Sequence, residues 1–276
     1  MKSEVFPIQD LCNRINGGVL GQARNKIKVK VLIPAFNEAR AIGPIIVRVQ
    51  KVLQQINVPH EIIVIDDGSW DATPHIAFNL KATCNRNKYN RGKGFSIVKG
   101  FHLAKEDEFV ITMDGDGEHY PEDIPALLRP VLLDEADMVI GSRFINVNGK
   151  RTGGSYLNNH KKYSLLRKFG NWIFSTVMLI LTRKRINDTQ SGFRVFRPGV
   201  VKKLCIQSLG FTIETEITAQ VIVKGGRVKE VAIHNGIPLR GSYMHMVKDG
   251  LKIILTVIRA ALPEQLKPIL KFFLNY

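Results

Sequence analysis

The first half of the chain carries runs of β-branched and aliphatic residues: VKVLI (29–33), EIIVID (61–66), FVITM (109–113) and DMVIG (137–141). Each run is almost continuously apolar, as in a strand covered on both faces. Between them apolar positions recur at helical spacing, over about 39–56, 72–81, 94–104 and 124–133. Strand and helix therefore alternate. This predicts an α/β fold with a mostly parallel sheet, helices on both faces, and ligands at the carboxyl ends of the strands. Residues 1–27 lack periodicity and read as an N-terminal extension, with the folded domain over 28–240.

The pattern changes after Arg143. From Met138 through Asn187 there is no Asp or Glu, yet ten Lys or Arg occur. Leu165, Leu166, Phe169, Trp172, Ile173, Thr176, Val177 and Ile180 recur at helical spacing, so the basic region of about 144–186 contains an amphipathic helix. Leu251, Ile254, Leu255, Ile258 and Leu262, then Leu266, Ile269, Leu270 and Phe273, give a second such pattern over 241–276. Two readings exist for these stripes: ordinary core, or interfacial helices whose apolar face dips into a lipid surface while the cations hold anionic headgroups. The second is preferred, with attachment near 163–182 and 247–275. The longest charge-free apolar run in the second half, Trp172–Thr182, falls well short of the roughly 20 residues that span a bilayer.

Composition sharpens this picture. The chain of 276 residues is 45% hydrophobic and 23% charged, an ordinary globular balance. Its 40 Lys and Arg against 24 Asp and Glu leave a net charge of +16, which favours anionic partners. Cys12, Cys84 and Cys205 are widely separated and form no metal-binding or disulfide pattern. The N-terminus lacks the apolar core of a secretion signal, so a cytoplasmic, peripheral membrane location is expected. The basic residues are interleaved with aliphatic rather than aromatic residues and no RNA-binding or zinc-finger pattern occurs, so no nucleic-acid partner is expected.

Candidate chemistry lies at the strand ends. FVITMDGDGEHYPED (109–123) puts Asp114, Asp116 and Glu118 at alternate positions; in an extended segment they would face one way, as a claw for Mg²⁺ or Mn²⁺ held together with substrate phosphates. A solvated acidic turn is the plainer alternative. Asp66 and Asp67 in VIDDGS stand where an acid can take a ribose hydroxyl or base N–H, or can simply cap the next helix. RGKG (91–94) sets a cation between glycines where amides can approach a phosphate.

Taken in order, IPAFNE (33–38), DDGS (66–69), NRGKG (90–94), MDGDGEH (113–119), GSR (141–143), DTQSGFRVF (188–196) and GFTIETE (210–216) resemble the inverting family 2 glycosyltransferases of GT-A fold. They are most similar to the polyprenyl-phosphate sugar synthases typified by dolichyl-phosphate mannose synthase. The resemblance runs from about Lys28 to Leu239. It implies a Rossmann-like GT-A domain and transfer of a hexose from a nucleotide-diphosphate sugar, of GDP-mannose or UDP-glucose type, to a polyprenyl phosphate. By position it implies nucleotide-sugar contacts from Pro34, Ala35, Glu38, Asp67, Lys93 and Asp114. It implies a divalent metal on Asp114, Asp116 and Glu118, and acceptor-phosphate contacts from Arg143, Arg167 and Arg194. Asp116, Asp188 and Arg194 are the implied catalytic residues. DGDGEH stands where the family usually has DADLQH. A lipid phosphate is already anionic near neutral pH, so it needs no strong base. A glycan or lipid hydroxyl, the alternative acceptor, would need one, and Asp188, Glu214 and Glu216 are candidates that could equally be a turn cap and helix members. A binder without catalysis fits less well, because clustered acids are costly without a cation.

Overall fold

The computed structural model describes residues 27–145 and 172–234, apart from 173, 174, 177, 181, 209 and 211. The expected extension 1–26, Arg167, most of the basic region and the C-terminal pattern at 241–276 lie outside the described residues.

The chain alternates as its pattern predicts: β1 (Val29–Ala35), α1 (Ile42–Gln55), β2 (His60–Asp66), α2 (Thr73–Asn79), β3 (Thr83–Arg86), α3 (Lys93–Leu103), β4 (Phe109–Thr112), α4 (Ile124–Leu132), β5 (Met138–Ser142), β6 (Arg194–Phe196), α5 (Ile213–Val223) and β7 (Val228–Ala232). The strands form one seven-stranded sheet in the order β3-β2-β1-β4-β6-β5-β7. Among the described strands only β6 runs against the others, pairing antiparallel with β4 and with β5. Its first residue therefore lies at the edge where the other strands end, which brings the 188–193 segment to the same place.

The strand runs are continuously apolar because alternate residues serve two cores. Val29, Val31 and Ile33 of β1 and Ile62 and Val64 of β2 pack with α1, α2 and α4. Leu32, Ile63 and Ile65 face the other way, against α3, α5 and Met178. With helices burying both faces, the crevice along the carboxyl edge is where such a sheet binds ligands as a rule. The strands missed by the pattern are the short or weakly buried ones, β3, β6 and β7.

Within the basic region, residues 175, 176 and 178–180 are helical. Ser175 and Met178 face the protein, whereas Trp172, Leu179 and Ile180 are 52%, 42% and 70% exposed. Among the described residues no helix is long and apolar enough to cross a membrane.

Candidate active site

Four loops following β1 to β4 are laced together before any ligand is considered. Asn37, at φ +57°, donates its backbone N–H to Ser69 Oγ (2.8 Å) and accepts from the Trp70 N–H through Oδ1 (3.0 Å). The Glu38 N–H donates to Thr73 Oγ1 and the Ala39 N–H to Asp71 Oδ2, at 2.8 and 3.0 Å. Pro34 and Ala35 are buried at the end of β1, and a Cβ on Gly115 would come within 3.0 Å of the Pro34 carbonyl. Gly115 lets the acidic loop lie directly on that strand end.

Asp67 is 4% exposed and accepts from Asn87 Nδ2 (2.8 Å), the Arg91 N–H (2.9 Å) and the Gly92 N–H (2.8 Å). Its role in this structure is to shape the RGKG turn, where Gly92 sits at φ +91°. Asp66 is ion-paired to Arg86 Nε at 3.0 Å. Lys93 then opens α3 and points to the acidic loop, its Nζ 2.7 Å from Asp114 Oδ1 and 2.5 Å from Glu214 Oε1. Burial disfavours the ammonium, but Asp114 and Glu214 outweigh it and raise its pKa. Burial likewise opposes the charge on Asp114, and Lys93 overcomes it, so Asp114 titrates below the usual carboxylate range.

The three acids of the DGDGEH loop do not form the expected claw. Among the described residues no three His, Cys, Asp or Glu side chains gather as a metal site. The alternation that would align them needs extended backbone, and here β4 ends at Thr112 and the chain turns, with Gly117 at φ +84°. Asp116 Oδ1 instead accepts the Glu118 N–H at 2.9 Å, closing the turn. Glu118 is 6% exposed and lies 3.2 Å from Arg143 Nη1. Asp116 has no ion pair among the described residues; burial first, and then the charge of Asp114, push its pKa up. This is an acid in want of a cation. A hard divalent ion held by one or two carboxylates and completed by substrate oxygens fits Asp114 and Asp116.

Arg143 and Asp188 form the second half of the site. Asp188, fully buried, accepts from the Arg143 N–H (3.0 Å), Nε (2.8 Å) and Nη2 (2.9 Å), a bidentate fork with a backbone bond added. Burial works against the Asp188 carboxylate, and Arg143 prevails, leaving it below its ordinary value. Glu230 of β7 fixes this corner from behind, accepting the N–H groups of Asn187 and Asp188 and Asn187 Nδ2, each at 2.8 Å.

Arg194 is placed differently from the expectation. It is 1% exposed, and its guanidinium donates to the Ser191 carbonyl (2.8 Å), the Thr189 carbonyl (3.0 Å) and Thr218 Oγ1 (3.0 Å). Burial brings it down to about 10, still cationic at neutral pH. In this structure Arg194 braces the 189–191 loop and offers no accessible surface to an acceptor phosphate. That loop in turn abuts the acids: a Cβ on Gly192 would lie 2.5 Å from both carboxylate oxygens of Asp114.

Asn87, His119 and Glu230 were missed by the sequence reading. Asn87 carries no local motif. His119 is buried, stacks at 5.3 Å on Phe193, and accepts the Asp114 N–H through Nδ1 at 3.4 Å, while Nε2 has no hydrogen-bond partner. Glu230 could have been flagged as an acid in the middle of a strand-like VKEVA run.

Comparison with known proteins places this arrangement. The glycosyl transferase family 2 model matches residues 30–205, and the chain belongs to that family: it is a GT-A-type glycosyltransferase. Among its relatives is a dolichol-phosphate mannosyltransferase of Pyrococcus furiosus, 31% identical over 78% of this chain and 58% of that longer protein. Others are a UDP-N-acetylglucosamine–dolichyl-phosphate N-acetylglucosaminyltransferase of Methanococcus voltae, 28% identical over 72% of this chain and 81% of that one, and the polyprenol monophosphomannose synthase of Mycolicibacterium smegmatis, 30% identical over 74% and 75%. The fold is also that of glucosyl-3-phosphoglycerate synthase from Mycobacterium tuberculosis, solved with Mn²⁺, UDP and phosphoglyceric acid: TM-score 0.68, 17% identity, 93% of this chain and 84% of that one. The chain is thus related to the polyprenyl-phosphate sugar synthases.

Proposed function

We propose that this glycosyltransferase moves a hexose from a nucleotide-diphosphate sugar to a polyprenyl phosphate, with Mg²⁺ or Mn²⁺ as cofactor, at the cytoplasmic surface of a membrane. The observation that carries the reading is the convergence of Asp114, Asp116, Lys93 and Arg143 on the carboxyl edge of the sheet, in a family whose named relatives here use dolichyl and polyprenol phosphates.

Asp114 and Asp116 would hold the divalent ion, which when bound neutralises charge developing on the leaving diphosphate. The chain's own residues do the remaining work. Pro34, Ala35 and Glu38 line the donor pocket, and Asp67 keeps the RGKG turn in shape beside it. Arg143, oriented by Asp188, presents its guanidinium to phosphate oxygens near the acidic loop. Arg194 keeps Gly192 pressed against Asp114.

The engagement of the three acids that could serve as base supports an ionised acceptor over a hydroxyl. Asp188 is bound to Arg143; Glu216 accepts the N–H groups of Gln207 and Ser208; Glu214 faces Lys93. A phosphate monoester, with a second pKa of about 6, arrives without a proton to remove. The test is transfer of label from a panel of radiolabelled nucleotide sugars into the organic phase with a short polyprenyl phosphate. Activity with Mn²⁺ or Mg²⁺ and loss of at least about 100-fold in EDTA is the expected result. Transfer only to hydroxyl acceptors, or full activity in EDTA, overturns it.

Membrane attachment draws support from Trp172, Leu179 and Ile180, exposed on helical residues that run directly into Arg183, Lys184 and Arg185. Burying one such side chain in lipid contributes about 1.5–3 kcal/mol. Trp172→Ala with Ile180→Ala is therefore expected to weaken binding to phosphatidylglycerol vesicles at low salt by about 10-fold or more. Unchanged sedimentation of the double variant would remove this helix from the contact.

A further inference from the structure

We infer that Lys93 is a placeholder cation, occupying the seat between Asp114 and Glu214 so that a divalent ion gains Asp114 only when a nucleoside diphosphate arrives to take Lys93 over. The inference rests on the metal and donor reading above, and concerns the order in which the two bind.

Nothing in transfer chemistry requires a lysine to be ion-paired to the very acid proposed to hold the metal. Yet Lys93 Nζ lies 2.7 Å from Asp114 Oδ1, and its other partner, Glu214, is 2% exposed. Among the described residues Glu214 Oε2 accepts no hydrogen bond, and neither oxygen is satisfied by a backbone amide. Without Lys93, the buried Glu214 carboxylate would lose its ion-pair partner and keep only the longer-range attraction of Arg194, and breaking a buried pair costs several kcal/mol. The pair is therefore held tightly while no donor is present, and a divalent ion approaching Asp116 alone meets both an occupied Asp114 and the repulsion of the ammonium.

A diphosphate changes this balance. Lys93 opens α3, an eleven-residue helix whose N-cap is Gly92, and that turn is shaped by Asp67. Anionic oxygens next to this helix end would find the lysine within reach, and a Lys contact to phosphate replaces its contact to Asp114. The freed carboxylate can then join Asp116 on the metal. Donor and ion thus strengthen each other's binding, and by linkage the factor is the same in both directions.

The experiment is a Mn²⁺ titration read by the free-ion paramagnetic resonance signal, with and without GDP or UDP, on the full chain. Wild type is expected to bind Mn²⁺ weakly alone and at least about 10-fold more tightly with one nucleotide. Lys93→Met is expected to bind Mn²⁺ alone about 10-fold more tightly than wild type, with the gain from nucleotide reduced by the same factor. Since that variant strands Glu214, Lys93→Met with Glu214→Gln removes both charges and is also expected to bind Mn²⁺ alone more tightly than wild type. Lys105→Met, which removes an equal charge from an exposed position just beyond the C-terminal end of α3, should stay within about twofold of wild type, as expected for an exposed, screened charge. If wild type binds Mn²⁺ with nucleotide but neither Lys93 variant binds the ion alone more tightly, the placeholder role is wrong and the metal reading stands. If wild type binds no Mn²⁺ under either condition, both fall.

Discussion

Asp116→Asn is expected to lower sugar transfer by about 10³-fold, ~4 kcal/mol of lost transition-state stabilisation, while leaving the melting temperature unchanged or raised. The two halves of this result have one cause. Asp116 has no ion partner among the described residues, and burial together with the neighbouring charge of Asp114 raises its pKa. A carboxylate whose folded pKa exceeds its unfolded value of about 3.9 stabilises the fold only while protonated, and weighs against it once ionised at neutral pH. The amide keeps the volume and the acceptor for the Glu118 N–H but removes the repulsion. A residue kept at a cost to stability is the signature of a functional site. A structural role predicts the opposite: stability lost with activity, or neither. Transfer rates and thermal melts on the same preparation decide it, and activity within about fivefold of wild type, well short of a 10³-fold loss, would remove Asp116 from the chemistry.

The legibility of this site in the sequence follows the range of the forces involved. β1, β2, β4 and β5 could be read because helices cover both faces and their runs are apolar throughout. β3, with TCNR, and β7, with VKEVA, are edge strands whose polar residues blur the pattern, and β6 is only three residues long. Parallel strands put the motifs at one edge, so their convergence was legible too. Side-chain pairing was not. Lys93 finds Glu214, Arg143 finds Asp188 and Asp188 rests on Glu230 through the tertiary fold, across separations no periodicity reports. The acidic triplet misled for a local reason: the glycines that make room for a claw also let the chain turn, and the alternation rule ends where the strand does.

Asp188→Ala is expected to destabilise the protein by about 3–5 kcal/mol at pH 7, because it leaves the Arg143 guanidinium in the protein without its bidentate partner. At about 2–4 °C per kcal/mol for a domain of this size, the melting temperature should fall by roughly 6–20 °C. Arg143→Met combined with Asp188→Ala removes both charges and is expected to be no less stable than Asp188→Ala alone, since most of the single-variant loss is the stranded charge rather than the missing bond. The sign of the pH dependence is fixed by the lowered pKa of Asp188. Its contribution is fully present above the unfolded value of about 3.9 and is lost as pH falls through the folded value, so the gap between wild type and Asp188→Ala should close only in acid below about pH 4. Denaturant unfolding of wild type, Asp188→Ala, Arg143→Met and the double variant at pH 7 and at a series of values below about pH 4 measures all of this. A single-variant loss under about 1 kcal/mol, well below the range for a broken buried pair, would show that the corner stands without the Arg143–Asp188 pair. So would a double variant destabilised by the sum of the two single losses. Glu230 and the 187–188 backbone would then be what aims Arg143 at the acidic loop.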